Sequence, residues 1–152
     1  MKVAIVKYNA GNSVSVANAL HRLGVESSIT DSTDELRQAD RVICPGVGEA
    51  SSAMRYLREH KLDGVIRTLT QPVLGICLGT QIILDYSEEN DTPCVSLVAG
   101  STRRFPETLA FNGELLKIPH MGWNSVRLLR SHPVFDHVSP EACLFYTSDA
   151  AD

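Results

Sequence analysis

With 152 residues, 43% of them hydrophobic and 21% charged, the chain is long enough to bury a sizeable core and too apolar for disorder. Its formal net charge of −4 offers no basic excess to draw nucleic acid or an anionic membrane surface. The longest apolar stretch, Pro72 to Leu84, is broken by Gly75, Gly79, Thr80 and Gln81, and falls short of the ~18 residues a membrane-spanning helix needs.

Val3 to Val6 reads as a buried strand entered directly from the N-terminus, with no secretory apolar segment or cleavage site. The polar loop Tyr8-Asn9-Ala10-Gly11-Asn12 follows. Ser13 is a candidate N-cap for a helix over Val14 to Leu23, with Val16, Leu20 and Leu23 as its apolar side. Gly24 closes that helix. Val25 to Ile29 reads as a second strand, Thr33 to Ala39 as a short helix and Arg41 to Cys44 as a third strand. Pro45-Gly46-Val47-Gly48 is a stiff glycine-rich loop; lacking a following Lys-Ser/Thr, it is not a phosphate loop. A helix over about Ala50 to His60 comes next, and Leu62 to Leu69 continues or restarts it.

Val73 to Ile76, preceded by Pro72, is too short for a helix and reads as a buried strand. After Cys77 the spacing turns helical, with Leu78 and Ile82 on one side. A strand turning directly into a helix at a cysteine is the cysteine form of the nucleophile elbow. Gly75 and Gly79, two residues to either side, fit a turn too tight for a Cβ. The helix start sets free backbone N–H groups and a positive dipole end beside the sulfur, which favours thiolate over thiol. The competing reading of Cys77 is a small buried hydrophobe at a strand end.

The alternation of strands and helices predicts an α/β fold, a mostly parallel sheet with helices on both faces. In such sheets sites form at the carboxyl ends of the strands, which gathers Tyr8 to Asn12, Pro45 to Gly48 and Cys77. After Ser87 the pattern changes. Val95 to Val98, Arg103 to Phe105, Leu115 to Ile118 and Ser125 to Leu129 read as short strands, with turns at Asn112-Gly113 and Met121-Gly122. They are expected as antiparallel strands added at one edge, within a single domain spanning residues 1–152. His132 to Phe135 reads as a turn and Ala142 to Tyr146 as a last strand. The four cysteines, Cys44, Cys77, Cys94 and Cys143, form no C-x-x-C pair and have no companion histidine spacing, so neither a metal site nor a disulfide framework is expected. A reducing cytoplasm suits that usage.

Gly75 to Gln81 together with Pro45 to Gly48 resembles the class I glutamine amidotransferases. The loop Tyr8 to Asn12, the run Ser87-Glu88-Glu89 and the string Pro119-His120-Met121-Gly122-Trp123-Asn124 are similar, in order and spacing, to the glutaminase subunits of imidazole glycerol phosphate synthases. The resemblance covers Met1 to about Tyr146 and implies a flavodoxin-like sheet and no cofactor. It implies that Cys77 attacks the side-chain amide of L-glutamine, that Val47, in the substrate-binding loop with Gly46 and Gly48, and Leu78, next after the nucleophile, offer oxyanion N–H groups, and that Gln81 and Glu89 hold the substrate. It further implies a heterodimer with a barrel-shaped cyclase subunit that receives ammonia for histidine biosynthesis, docked through Tyr8, Asn12, Lys117, Pro119, His120, Met121, Trp123 and Asn124.

The family's histidine-x-glutamate pair has no counterpart here. None of the five histidines, His21, His60, His120, His132 and His137, begins His-x-Glu. Where the family continues with a hydrophobic strand, Thr147 to Asp152 is polar and alanine-rich. The expectation is an incomplete domain whose C-terminal strands are missing, with residues 147–152 non-native and the chain inactive alone. Two other readings stay open: a non-catalytic module that keeps the partner-docking face, and the amidotransferase of another pathway, such as anthranilate or guanylate synthesis.

Overall fold

Four short strands, the inner two apolar, build a parallel sheet: β1 (Lys2–Val6), β2 (Glu26–Thr30), β3 (Arg41–Cys44) and β4 (Val73–Gly75). The structure, a computed structural model, describes residues 1–9, 11–118, 120–125, 128–131, 133–139 and 143–148. They fall into two compact units, Met1–Arg103 and Arg104–Asp152, each described by itself.

In the first unit the strand order is β2-β1-β3-β4, the doubly wound arrangement the sequence predicted. Ile5 stands opposite both Ile29 and Ile43, and Ile43 opposite Leu74; the other face carries Ser28, Ala4, Val42 and Val73 in register. Crossovers between parallel strands are right-handed, so the step back from β1 to β2 puts its helix on the opposite face from the forward steps to β3 and β4. α1 (Ser13–Arg22) packs on β1 and β2, whereas α2 (Thr33–Gln38), α3 (Ala50–Glu59) and α4 (Leu62–Arg67) cover the face carrying Ala4, Val6, Val42 and Cys44.

The main core lies under those last helices. Ala50, Ala53, Met54 and Leu57 recur at helical spacing on α3 and meet Leu36, Leu62, Val65 and Ile66. Fully burying each large apolar side chain there contributes roughly 1.5–3 kcal/mol. α1 is looser: it buries no residue, and Leu23, predicted on its apolar side, is 76% exposed. Its N-cap is Asn12 rather than Ser13, because Asn12 O already accepts the first helical N–H, from Val16 at 3.3 Å.

The added strands differ from expectation. β5 (Tyr86–Ser87) pairs antiparallel with β6 (Thr92–Pro93) and parallel with β7 (Ser101–Thr102), as a separate small sheet rather than an edge of the main one. Val95 to Val98 is no strand. Its N–H groups, with that of Ser96, go to the carbonyls of Ile82, Ile83 and Leu84, so it closes the C-terminal end of the helix after Cys77. Arg103 to Phe105 carries no strand either, β7 ending one residue before it.

In the second unit β8 (Ala110–Phe111) and β9 (Glu114–Leu115) form a two-residue hairpin. Its turn, Asn112 at φ 52° and Gly113 at φ 82°, has the two positive values that the Asn-Gly signal predicts. β10 (His120–Ser125) pairs antiparallel with β11 (Cys143–Ser148). The turn expected at Met121-Gly122 lies inside β10, where Gly122 pairs with Tyr146. Of the strand expected over Ser125 to Leu129, Ser125 alone is in β10; Val126 and Arg127 lie outside the described residues. The expected turn at Pro133 is a 3-10 turn, Pro133–Phe135. Thr147 and Ser148, grouped above with a non-native tail, are paired members of β11, while residues 149–152 lie outside the described residues. No described helix is long and apolar enough to cross a membrane.

Candidate active site

Cys77 sits where β4 meets α5 (Leu78–Ile82), with φ 54° and ψ −114°. A positive φ at a side chain with a Cβ is held only when its surroundings force it, and such strain concentrates at functional turns. Two close approaches supply the force. A Cβ on Gly75 would stand 2.7 Å from Gly79 O, and one on Gly79 would stand 1.6 Å from Cys44 O. Both glycines are therefore required by backbone crowding, as their spacing around Cys77 suggested. Thr80 adds a tie that the sequence did not reveal: its hydroxyl donates to Gly75 O at 2.9 Å, closing the elbow.

The elbow rests on the loop after β3. Ile76 N–H donates to Cys44 O at 3.0 Å and Leu78 N–H to Gly46 O at 3.3 Å. Pro45 and Gly46 are buried, Val47 is 52% exposed and Gly48 is exposed. Cys77 is exposed, whereas Cys44 and Cys94 are buried. Burial pushes the Cys44 thiol up to about 12, so it stays protonated and inert beside the site. α5 is just five residues long, so its dipole rests on roughly one and a half turns.

Substrate grips expected from the sequence fall in the same unit. Gln81 lies half-buried on α5. Glu89, in the turn between β5 and β6, reaches the start of α3, where its Oε2 accepts the Ala50 N–H at 2.7 Å. The residue at the N-cap position, Glu49, makes no side-chain cap bond, so Glu89 supplies the cap from 39 residues away. That second function of Glu89 had no signal in the sequence, since the pairing is purely tertiary.

The residues expected to meet a partner are divided. Tyr8 is corrected: it is 6% exposed and donates its hydroxyl to Pro45 O, so its side chain belongs to the interior. Asn12 is exposed in the left-handed conformation at φ 82°. In the second unit Lys117 is exposed, and Trp123, on β10 with His120, Met121 and Asn124, is 72% exposed. Pro119 lies outside the described residues. Of the histidines predicted on helices, His21 is exposed on α1, and His60 follows α3, stacked on Tyr56 at 4.1 Å. His137 is exposed in a turn, and His132 lies outside the described residues. Among the described residues no group of three or more His, Cys, Asp or Glu is placed to hold a metal ion.

The positive-φ cysteine thus lies at a strand–helix turn, beside a glycine loop at the carboxyl end of a parallel sheet, and the chain belongs to the class I glutamine amidotransferase family, whose model matches residues 4–152. Its relatives narrow the class. It is 49% identical over 131 residues to the imidazole glycerol phosphate synthase subunit HisH of Bacteroides fragilis (strain YCH46), covering 86% of this chain and 65% of that protein. The subunit of the same name from Maridesulfovibrio salexigens is 43% identical over 148 residues, covering 95% and 70%. The chain thus spans about two thirds of the length of these relatives. A crystal structure of a glutamine amidotransferase superposes with a TM-score of 0.54 at 21% identity, over 61% of this chain and 51% of that one, a likeness of fold.

Proposed function

We propose that this chain carries the nucleophilic half of a glutaminase that feeds ammonia to a cyclase subunit, in the cytoplasm, for histidine biosynthesis. The observation that carries the reading is the strained, exposed Cys77 held against the Pro45 to Gly48 loop. The Cys77 sulfur attacks the side-chain carbonyl carbon of L-glutamine, forming a C–S bond and a tetrahedral oxyanion. Collapse breaks the C–N bond, ammonia leaves with a proton, and a glutamyl thioester remains for water to cleave to glutamate.

Backbone N–H groups of Leu78 and Val47 serve the oxyanion. In the structure Leu78 N–H is already spent on Gly46 O at 3.3 Å, so a substrate oxygen must compete with that carbonyl. Glu89 has one oxygen engaged at α3, leaving the other for the substrate ammonium, while Gln81 can both donate and accept an amide hydrogen bond. The five histidines of the chain include no His-x-Glu, so protonation of ammonia and activation of water fall to a base these 152 residues do not present. In the second unit, the exposed indole of Trp123 is a typical anchor for a cyclase barrel.

Calorimetric titration tests the substrate reading. L-glutamine should bind and D-glutamine should not, and Gln81→Ala should weaken binding about tenfold. Equal heats for the two enantiomers would contradict it.

A further inference from the structure

Tyr8 has been described as an interior residue; its position says more. It follows β1, its ring lies in the main core, and its hydroxyl donates to Pro45 O. Pro45 is fully buried, so that carbonyl has no water to turn to when the hydroxyl is removed. The same loop also runs close to the glycine loop at a second point, where a Cβ added to Gly11 would lie 3.3 Å from Val47 Cγ2. One residue beyond Pro45, Gly46 O receives the Leu78 N–H at 3.3 Å. A chain of contacts therefore runs from Tyr8 through Pro45 and Gly46 to the residue after the nucleophile. Burial, reinforced by Cys44 and Cys77, raises the tyrosine well above its ordinary value, so it remains a donor.

We propose that Tyr8 is a positioning residue for the oxyanion: by holding the Pro45 carbonyl, its hydroxyl fixes where Gly46, Val47 and Leu78 present their backbone to a carbonyl attacked by Cys77. The catalytic part of this inference rests on the glutaminase reading. Its hold on the loop does not.

Tyr8→Phe removes the hydroxyl and keeps the ring. Two measurements on the 152-residue chain decide the matter. In amide hydrogen exchange, the Leu78 N–H should exchange at least fivefold faster in Tyr8→Phe while the Ile76 N–H, bound to Cys44 O, is unchanged; unchanged Leu78 exchange overturns the proposal. The second measurement compares two alkylating agents at Cys77. The chloroketone analogue of L-glutamine adds the thiolate to its carbonyl, passing through an oxyanion, before sulfur displaces chloride. Iodoacetamide alkylates by direct displacement of iodide, with no oxyanion. Tyr8→Phe should slow the limiting rate with the chloroketone about tenfold, leaving its half-saturating concentration and the iodoacetamide rate unchanged. Equal slowing with both reagents overturns the proposal, since it would report a loosened elbow. If the wild-type chain shows no saturable reaction with the chloroketone, the glutaminase reading fails, and the exchange result still decides whether Tyr8 holds the loop.

Discussion

Gly79→Ala separates backbone crowding from helix propensity, because the two predict opposite signs. Gly79 lies within α5, where alanine is ordinarily favoured over glycine by about 1 kcal/mol. In the structure the new Cβ would stand 1.6 Å from Cys44 O, whereas non-bonded heavy atoms settle at about 3.5 Å, an overlap of roughly 1.9 Å (3.5 − 1.6). Relief requires α5 to lift from the end of β3. That breaks Ile76 N–H to Cys44 O and Leu78 N–H to Gly46 O, each worth about 0.5–1.5 kcal/mol net. Overpacking around the buried Leu78 and Ile82 adds about 1–3 kcal/mol. Offset by the propensity gain, the net loss is about 3 kcal/mol, or a fall of about 6–12 °C in the thermal midpoint. Gly64→Ala is the matched control: Gly64 is inside α4 with nothing within 4 Å of its added Cβ, so it should stabilise by about 0.5–1 kcal/mol. A calorimetric scan of both variants is the assay. A Gly79→Ala chain melting at or above the wild-type temperature would refute the close-approach account of the elbow.

Glu89→Ala should lower stability by about 1 kcal/mol in urea titration without any ligand, through loss of the α3 cap, as well as weakening L-glutamine binding. An effect on binding alone would remove the cap from the account. Alkaline pH should also destabilise the fold. Cys44 holds its proton to about 12 when native, against 9.0 as the reference value, so between those values the unfolded chain has released a proton the native chain keeps, and stability falls as pH rises. Cys44→Ala should flatten that slope in denaturant titrations run from pH 8 to 11; an unchanged slope would exclude Cys44 as its source.

The parallel sheet was legible because its inner strands β1 and β3 read as short buried apolar runs, and β3 matches its expected span Arg41–Cys44 residue for residue; β4, expected buried, is an outer strand that leaves Leu74 55% exposed. The elbow was legible for a different reason: Gly75 and Gly79 record crowding that only the backbone path explains. What failed was the apolar stretch Val95 to Val98. Its composition says strand, yet the carbonyls of Ile82, Ile83 and Leu84, at and just beyond the end of a five-residue helix, claim its N–H groups. Tyr8 was misplaced similarly. A tyrosine in a polar loop carries both a surface-seeking hydroxyl and a core-seeking ring, and here the buried Pro45 carbonyl satisfies the first inside the second. Glu89 as a helix cap could not be foreseen, since the Ala50 N–H that donates to it is 39 residues away.

The central claim is that Cys77 is a glutamine-directed nucleophile. Peptide mass mapping after brief exposure to the chloroketone analogue of L-glutamine tests it most directly, with Cys44 and Cys94 as internal controls that burial should protect. The account predicts a single adduct on Cys77, suppressed by L-glutamine but not D-glutamine, and absent from Cys77→Ser. Adducts spread over several cysteines, or a Cys77 adduct indifferent to L-glutamine, would contradict it.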